Sequence, residues 1–92
     1  MTPAAAETIA LEALAWIVSN DDLRDVFMGA GGVSESDLRQ RIGDPDFQLA
    51  VLDFLLMDDR WITAFCDAQG HAYDVPMAAR HHLPGGEQVH WT

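Results

Sequence analysis

Apolar residues near the start of the chain recur at the spacing of a helix. From Pro3 to about Ser19 they form two stripes, one made of Ile9, Ala13, Trp16 and Ile17 and the other of Leu11, Leu14 and Val18. Two stripes make a wide apolar face, so we expect this helix to be buried on more than one side. Thr2 is a suitable N-cap, and Pro3 fits the first helical position, where its missing N–H is not needed.

The most apolar segment of the chain runs from Phe47 to Met57. Nine of its eleven residues are apolar, and a helix that is apolar on every side is typical of the middle of a bundle. Asp44 and Pro45 fit its N-cap and its first position. We therefore expect this segment to form the central helix of the domain.

Capping residues and glycines delimit a short helix after the first one. Asn20 caps a helix from Asp21 to about Met28, and the glycine-rich residues 29–32 end it. This segment is therefore predicted to be a helix of about two turns.

The strongest local signal is a helix start at Ser34. Ser34 as N-cap and Asp37 at the third helical position resemble a capping box, and Val33 with Leu38 supplies a hydrophobic staple. We expect this helix to carry Leu38 and Ile42 inward and to stop at the next glycine.

Two helices are predicted in the last third of the chain. Asp58 can cap the first, which ends before Gly70 and contains Trp61, Ile62, Phe65 and Cys66. The second begins behind Asp74 and ends with Arg80, His81 and His82, whose positive charge suits the C-terminal end of a helix. No segment alternates for long with the two-residue period of a strand. The sequence therefore predicts an all-α fold, a compact single-domain bundle of five or six short helices over residues 1–86, with a flexible tail at residues 87–92.

The formal net charge of −10 at pH 7 changes this picture less than its size suggests. Ten of the fifteen acidic residues lie at predicted helix starts, namely Asp21, Asp22, Asp25, Glu35, Asp37, Asp44, Asp46, Asp58, Asp59 and Asp74. A carboxylate there accepts hydrogen bonds from free backbone N–H groups and faces the positive end of the helix dipole. We interpret the acids mainly as caps. Glu12 lies away from any start, so we expect its neutralisation to change little.

Charge and composition also exclude several classes of partner. The five basic residues are all arginine, and the isoelectric point is about 4.3, which disfavours nucleic acid and anionic membrane surfaces. The apolar runs 49–52 and 54–57 are far shorter than the roughly 20 residues of a membrane span. Cys66 is the single cysteine, and the first residues lack the basic region of a signal peptide. We expect a cytoplasmic protein.

Asp53 and the histidines are the residues that suggest chemistry. A carboxylate buried alone at Asp53 would have a raised pKa, as catalytic acids do, but we favour an exposed edge or an arginine partner. The histidines are His71, His81, His82 and His90. Neighbours on a helix point about 100° apart, so His81 and His82 cannot chelate one ion together. We find no catalytic motif, and predict neither enzymatic activity nor a metal or cofactor.

Trp61 and Trp91 are the candidate partner contacts. Trp61 begins a predicted helix, and Trp91 lies in the predicted tail, which has no core of its own. Exposed apolar patches commonly mark contact surfaces. We therefore expect these two indoles to contribute to association.

Three segments carry a resemblance to a known family. They are Ala6–Trp16, the Asp46–Asp58 segment with its central Leu-Asp-Phe-Leu-Leu, and Leu83-Pro84-Gly85-Gly86. The chain resembles a family of short alphaproteobacterial proteins of unknown function, from about residue 5 to residue 86. The resemblance implies a compact all-helical bundle in the cytoplasm and favours a signalling adaptor. It brings no established activity and therefore assigns no functional residue.

The function predicted from the sequence is protein–protein interaction by a small, acidic, soluble helical protein. Its partner is another protein or a second copy of the chain. One alternative is a ligand-binding or enzymatic domain built around Asp53 and the histidines. The other is a structural homodimer whose interface completes a small core.

Overall fold

Six helices, connected by short turns, form the part of the chain that the computed structural model describes, residues 1–32 and 34–86. They are α1 (Pro3–Ser19), α2 (Asp21–Gly31), α3 (Glu35–Arg41), α4 (Pro45–Leu55), α5 (Asp59–Gln69) and α6 (Val75–His82). These residues contain no strand, so the predicted all-α single-domain fold is confirmed. None of these helices is both long enough and apolar enough to cross a membrane.

Side-chain caps fix most helix starts, as predicted. Thr2, Asn20, Asp44 and Asp58 each accept a hydrogen bond from a backbone N–H of the helix that follows. Ser34 makes the full capping box, because the Ser34 N–H also donates to the Asp37 carboxylate at 3.1 Å. These hydrogen bonds lower the pKa of Asp37.

Three details at the helix termini differ from the predictions. Asp74 occupies the N-cap position of α6, but its side chain makes no capping hydrogen bond. Asp25 lies beyond the first turn of α2, where it is 3.7 Å from the Arg24 guanidinium. In addition, α2 continues through Gly29 to Gly31 and ends at Gly32, which has the left-handed φ of 62° that favours glycine.

The hub of the bundle is α1, and not the Phe47–Met57 segment that hydrophobicity favours. Helix α1 packs against α2, α4 and α6, whereas α4 packs closely against α1 and α6. Ala6, Ala10 and Ala13 are almost completely buried along one side of α1. Alanine has no side chain beyond Cβ, so neighbouring helices can approach this side closely.

Helix α4 still contributes much of the core. Val51, Leu52 and Leu55 are at most 1% exposed. The segment is not buried on every side, however, because Ala50 and Asp53 are exposed and Met57 lies past the helix end at 76% exposure. The expectation of an all-round buried central helix is therefore wrong.

Aromatic rings join α5 and α2 to this core. Phe27 of α2 packs edge-to-face on Phe54 of α4 at 5.1 Å between ring centroids, and Trp61 of α5 stacks on Phe54 at 4.8 Å. At the other end of α5, Phe65 packs edge-to-face on Trp16 of α1 at 6.0 Å. Aromatic side chains thus contribute to the packing of α5, together with the buried Cys66.

Gln48 is the buried polar residue of the core, at 2% exposure. Its Nε2 donates to the Glu7 carboxylate at 3.0 Å and to the backbone carbonyl of Ile42 at 2.8 Å. A single amide therefore ties α4 to α1 and to the end of α3, and these bonds give its buried Nε2 hydrogen-bond partners.

Helix α3 is attached less firmly than the sequence predicted. None of its seven residues is buried, Leu38 is only half-buried, and Ile42 is 42% exposed. The prediction that Ile42 points inward is wrong, and Val33 of the proposed staple lies outside the described residues. As a result, the second apolar stripe of α1 has only a partial cover.

Candidate functional site

An apolar groove lies between α1 and α3, where that partial cover leaves space. It has a volume of about 290 Å³ and is lined by Leu11, Leu14, Ala15, Val18, Leu38, Arg39 and Ile42. The α1 residues follow the spacing of one helix face. Their burial falls outward, from buried Leu14 to half-buried Leu11 and Val18 and exposed Ala15. The exposed lining is entirely apolar although Arg39 contributes to it. The methylene stem of an arginine can line apolar surface while its charged head reaches water.

The groove continues towards α2. A second hollow of about 280 Å³ shares Val18, Leu38 and Arg39 with the first, and Met28, Arg24 and Glu35 complete its lining. Apolar side chains thus form the floor, and charged groups stand at the rim. This combination is typical of surfaces that bind another protein.

Arg39 is the guanidinium at this rim without an observed partner. Arg24 is 3.5 Å from Asp21, Arg41 lies over the ring of Phe47, and the other two arginines have carboxylate partners. Within residues 1–32 and 34–86, Arg39 forms neither an ion pair nor a contact with an aromatic ring. It can therefore accept a carboxylate from outside the molecule.

Asp53 lies in the kind of environment that we favoured, at an exposed edge and next to an arginine. Its carboxylate is 52% exposed and forms an ion pair with Arg80 of α6. The same arginine donates from Nη1 to the Gly86 carbonyl at 3.4 Å. Asp53 therefore tethers α4 to α6 at the surface, where such pairs contribute roughly 0–1 kcal/mol to stability.

The histidines do not converge with Asp53. His71 Nε2 lies 2.7 Å from Glu12 Oε1, and both side chains are largely shielded, at 23% and 35% exposure. His82 Nδ1 lies 2.8 Å from the Ala78 carbonyl, and His81 is exposed. The sequence did not reveal that His71 is the partner of Glu12. Their contact joins α1 to the turn after α5.

The remaining chemistry-bearing groups form no site among the described residues. No set of three or more His, Cys, Asp and Glu side chains there could hold a metal ion. Cys66 is fully buried, and burial raises the pKa of its thiol, with Asp67 and Asp74 adding to the effect. A buried thiol with a raised pKa is a poor nucleophile.

Of the two predicted partner contacts, the structure describes only Trp61. The indole is half-buried, and one of its faces stacks on Phe54. Trp91 and His90 lie in the predicted tail, outside the described residues. A partner contact at Trp61 or Trp91 stays a prediction.

Comparison with known proteins identifies a family but no function. The family described as Protein of unknown function (DUF3572) matches residues 3–86. Neither the curated proteins nor the solved structures gave a match. The chain therefore belongs to the DUF3572 family, and the predicted resemblance to a family of unknown function is confirmed.

Proposed function

We propose that this family member acts as a protein–protein interaction domain, and that its α1–α3 groove binds an amphipathic helix of a partner protein. The observation that carries the proposal is the wholly apolar lining of this groove. Apolar surface that is rimmed by polar residues is one mark of a protein–protein contact site. A non-enzymatic signalling adaptor would need no more than such a surface.

The dimensions of the groove suit a helix. Its α1 wall extends from Leu11 to Val18, which is about 10 Å at 1.5 Å per residue, or two helical turns. A helix bound in a groove inserts side chains at positions i, i+3 or i+4, and i+7, which span the same length. Two or three apolar side chains from the partner can therefore fill the groove.

The charge at the rim adds specificity to the apolar contact. Arg39 borders both hollows and has no observed partner among the described residues. We expect the bound helix to carry a carboxylate that pairs with this guanidinium. Such a pair at an interface rim contributes more to orientation than to affinity.

A photocrosslinker placed at Ile42 tests the proposal in cells that express the full chain. We expect it to form an adduct with a partner, while the same crosslinker at Thr63 of α5 does not. Ala15→Glu should abolish the adduct because it puts a charge in the groove. Ala64→Glu is the matched control, since both alanines are exposed on helices. Failure to form an adduct at Ile42, or an adduct that survives Ala15→Glu, would contradict the proposal.

A further inference from the structure

We propose that the helix bound in this groove is α3 of a second copy of the chain, so that two antiparallel α3 helices form a two-fold interface. The inference rests on the proposed function, because it uses the same groove and names its occupant. In such a dimer, Leu38 and Ile42 of each copy cover the exposed α1 stripe of the other.

The charges of α3 are complementary to themselves in the antiparallel orientation. Glu35 lines the second hollow and Arg39 lines both hollows, one before and one after Leu38. A two-fold axis level with residue 37, the midpoint of 35 and 39, brings Glu35 of one copy to Arg39 of the other, and the symmetry repeats this pair. Such an interface, in which the same patch serves both subunits, is the usual one in homodimers.

The stability of α3 gives an independent reason for a cover. Isolated helices shorter than about 12 residues are marginal in water, and α3 has seven residues, none of them buried. Its capping box satisfies the helix start but buries no apolar surface. A second copy would supply the missing packing against Leu38 and Ile42.

The distribution of charge is compatible with self-association through this face. Glu35 and Asp37 balance Arg39 and Arg41, so α3 is neutral and the formal charge of −10 lies outside it. Two copies that meet through α3 therefore keep their other, anionic surfaces apart. Salt screens both this repulsion and the two exposed ion pairs. Because the formal charge of −10 on each copy outweighs two exposed pairs, we expect dimerisation to strengthen when the ionic strength rises from about 0.01 M to 0.15 M.

Charge reversal tests the geometry directly. Sedimentation equilibrium of the full chain should show a monomer–dimer equilibrium. Glu35→Arg alone and Arg39→Glu alone should each weaken it by about tenfold or more, because each places like charges together at two symmetric positions. Arg60→Glu on α5 is the control and should retain the dimer.

An equimolar mixture of the two reversed variants separates pairing from misfolding. One variant then presents arginine at both positions and the other presents glutamate at both, so the mixed dimer restores two opposite-charge pairs. We expect native mass spectrometry to show a mixed dimer close to wild-type strength. A variant that merely loses α3 would not be rescued in this way.

Two results would overturn the dimer. One is a wild-type chain that stays monomeric at every concentration and salt, and the other is a mixture no stronger than its components. If the Ile42 crosslinker still captured a different protein in a groove-dependent manner, the proposed function would stand without the dimer. Loss of that adduct as well would remove both.

Discussion

Replacing Gln48 by glutamate should destabilise the domain strongly, although the two side chains have nearly the same shape. The amide Nε2 donates to the Glu7 carboxylate and to the Ile42 carbonyl. A hydrogen bond to a charged group contributes about 1.5–3 kcal/mol, and one to a carbonyl about 1 kcal/mol. Gln48→Glu removes both donors and places a second carboxylate beside Glu7. We therefore expect a loss of at least about 3 kcal/mol at pH 7.

Thermal unfolding followed by circular dichroism measures this loss. For a domain of this size, 1 kcal/mol corresponds to roughly 4–8 °C, so the midpoint should fall by about 12–24 °C. Gln48→Met removes the donors without adding a charge and should cost less. Gln69→Glu, on the exposed C-terminal end of α5, adds the same charge and should cost less than about 1 kcal/mol, the size of an unfavourable helix-dipole contact.

The pH dependence of Gln48→Glu gives a second, independent readout. Burial and the neighbouring Glu7 raise the folded-state pKa of the introduced carboxyl group above its unfolded value of about 4.3. The folded variant then holds a proton that the unfolded chain releases. The penalty relative to wild type should be smallest below about pH 4.3, grow with rising pH, and level off above the raised pKa. A variant within about 1 kcal/mol of wild type throughout this range would refute the assigned contacts.

Three further predictions follow from burial and capping. In urea denaturation, Leu52→Ala should lower the free energy of unfolding by about 2–5 kcal/mol and Met57→Ala by less than about 0.5 kcal/mol, because only Leu52 is buried. Similar losses for the two variants would mean that the core is misplaced. Ser34→Ala should cost about 0.5–2 kcal/mol and Asp74→Ala less, because Asp74 makes no capping hydrogen bond; the reverse order would contradict this. Cys66 should react with a thiol reagent only in denaturant, and rapid labelling of the native protein would show that it is accessible.

Helix starts and ends could be predicted because their causes are local. The capping box at Ser34 and Asp37 and the proline after Asp44 lie within a few residues of the starts that they specify. Gly70 ends α5 with a left-handed φ of 76°, which few other residues adopt readily. Such signals need no knowledge of tertiary contacts. Asp74 shows the limit, since the right residue at the right position still makes no capping bond.

Hydrophobicity alone could not predict which helix lies at the centre of the bundle. The Phe47–Met57 segment has the larger apolar side chains, but α1 has the alanines that allow three helices to approach it. The spacing of Ala6, Ala10 and Ala13 was the available signal. Small residues at that spacing identify a helix side that a neighbouring helix can approach closely. A count of apolar residues does not take side-chain size into account.

The long-range polar contacts left no pattern in the sequence. Gln48 and Glu7 are 41 residues apart, and His71 and Glu12 are 59 residues apart. One hint was present, because Gln48 lies between Phe47 and Leu49 in an apolar run. A lone amide in such a run is a candidate for a buried hydrogen-bonded group, although its partners follow only from the fold.

The candidate site follows from a mismatch in length between two helices. With 17 residues, α1 is about 25 Å long, whereas α3 with seven residues is about 10 Å long. A wide apolar face on α1 was predictable, and the sequence alone suggested that it would be buried within the domain. Helix α3 is too short and too weakly anchored to cover it, so Leu11 and Val18 stay half-exposed beside an arginine without an observed partner. The surface most suited to binding therefore lies beside the apolar face of α1, which was predicted correctly, where the predicted cover by α3 is incomplete.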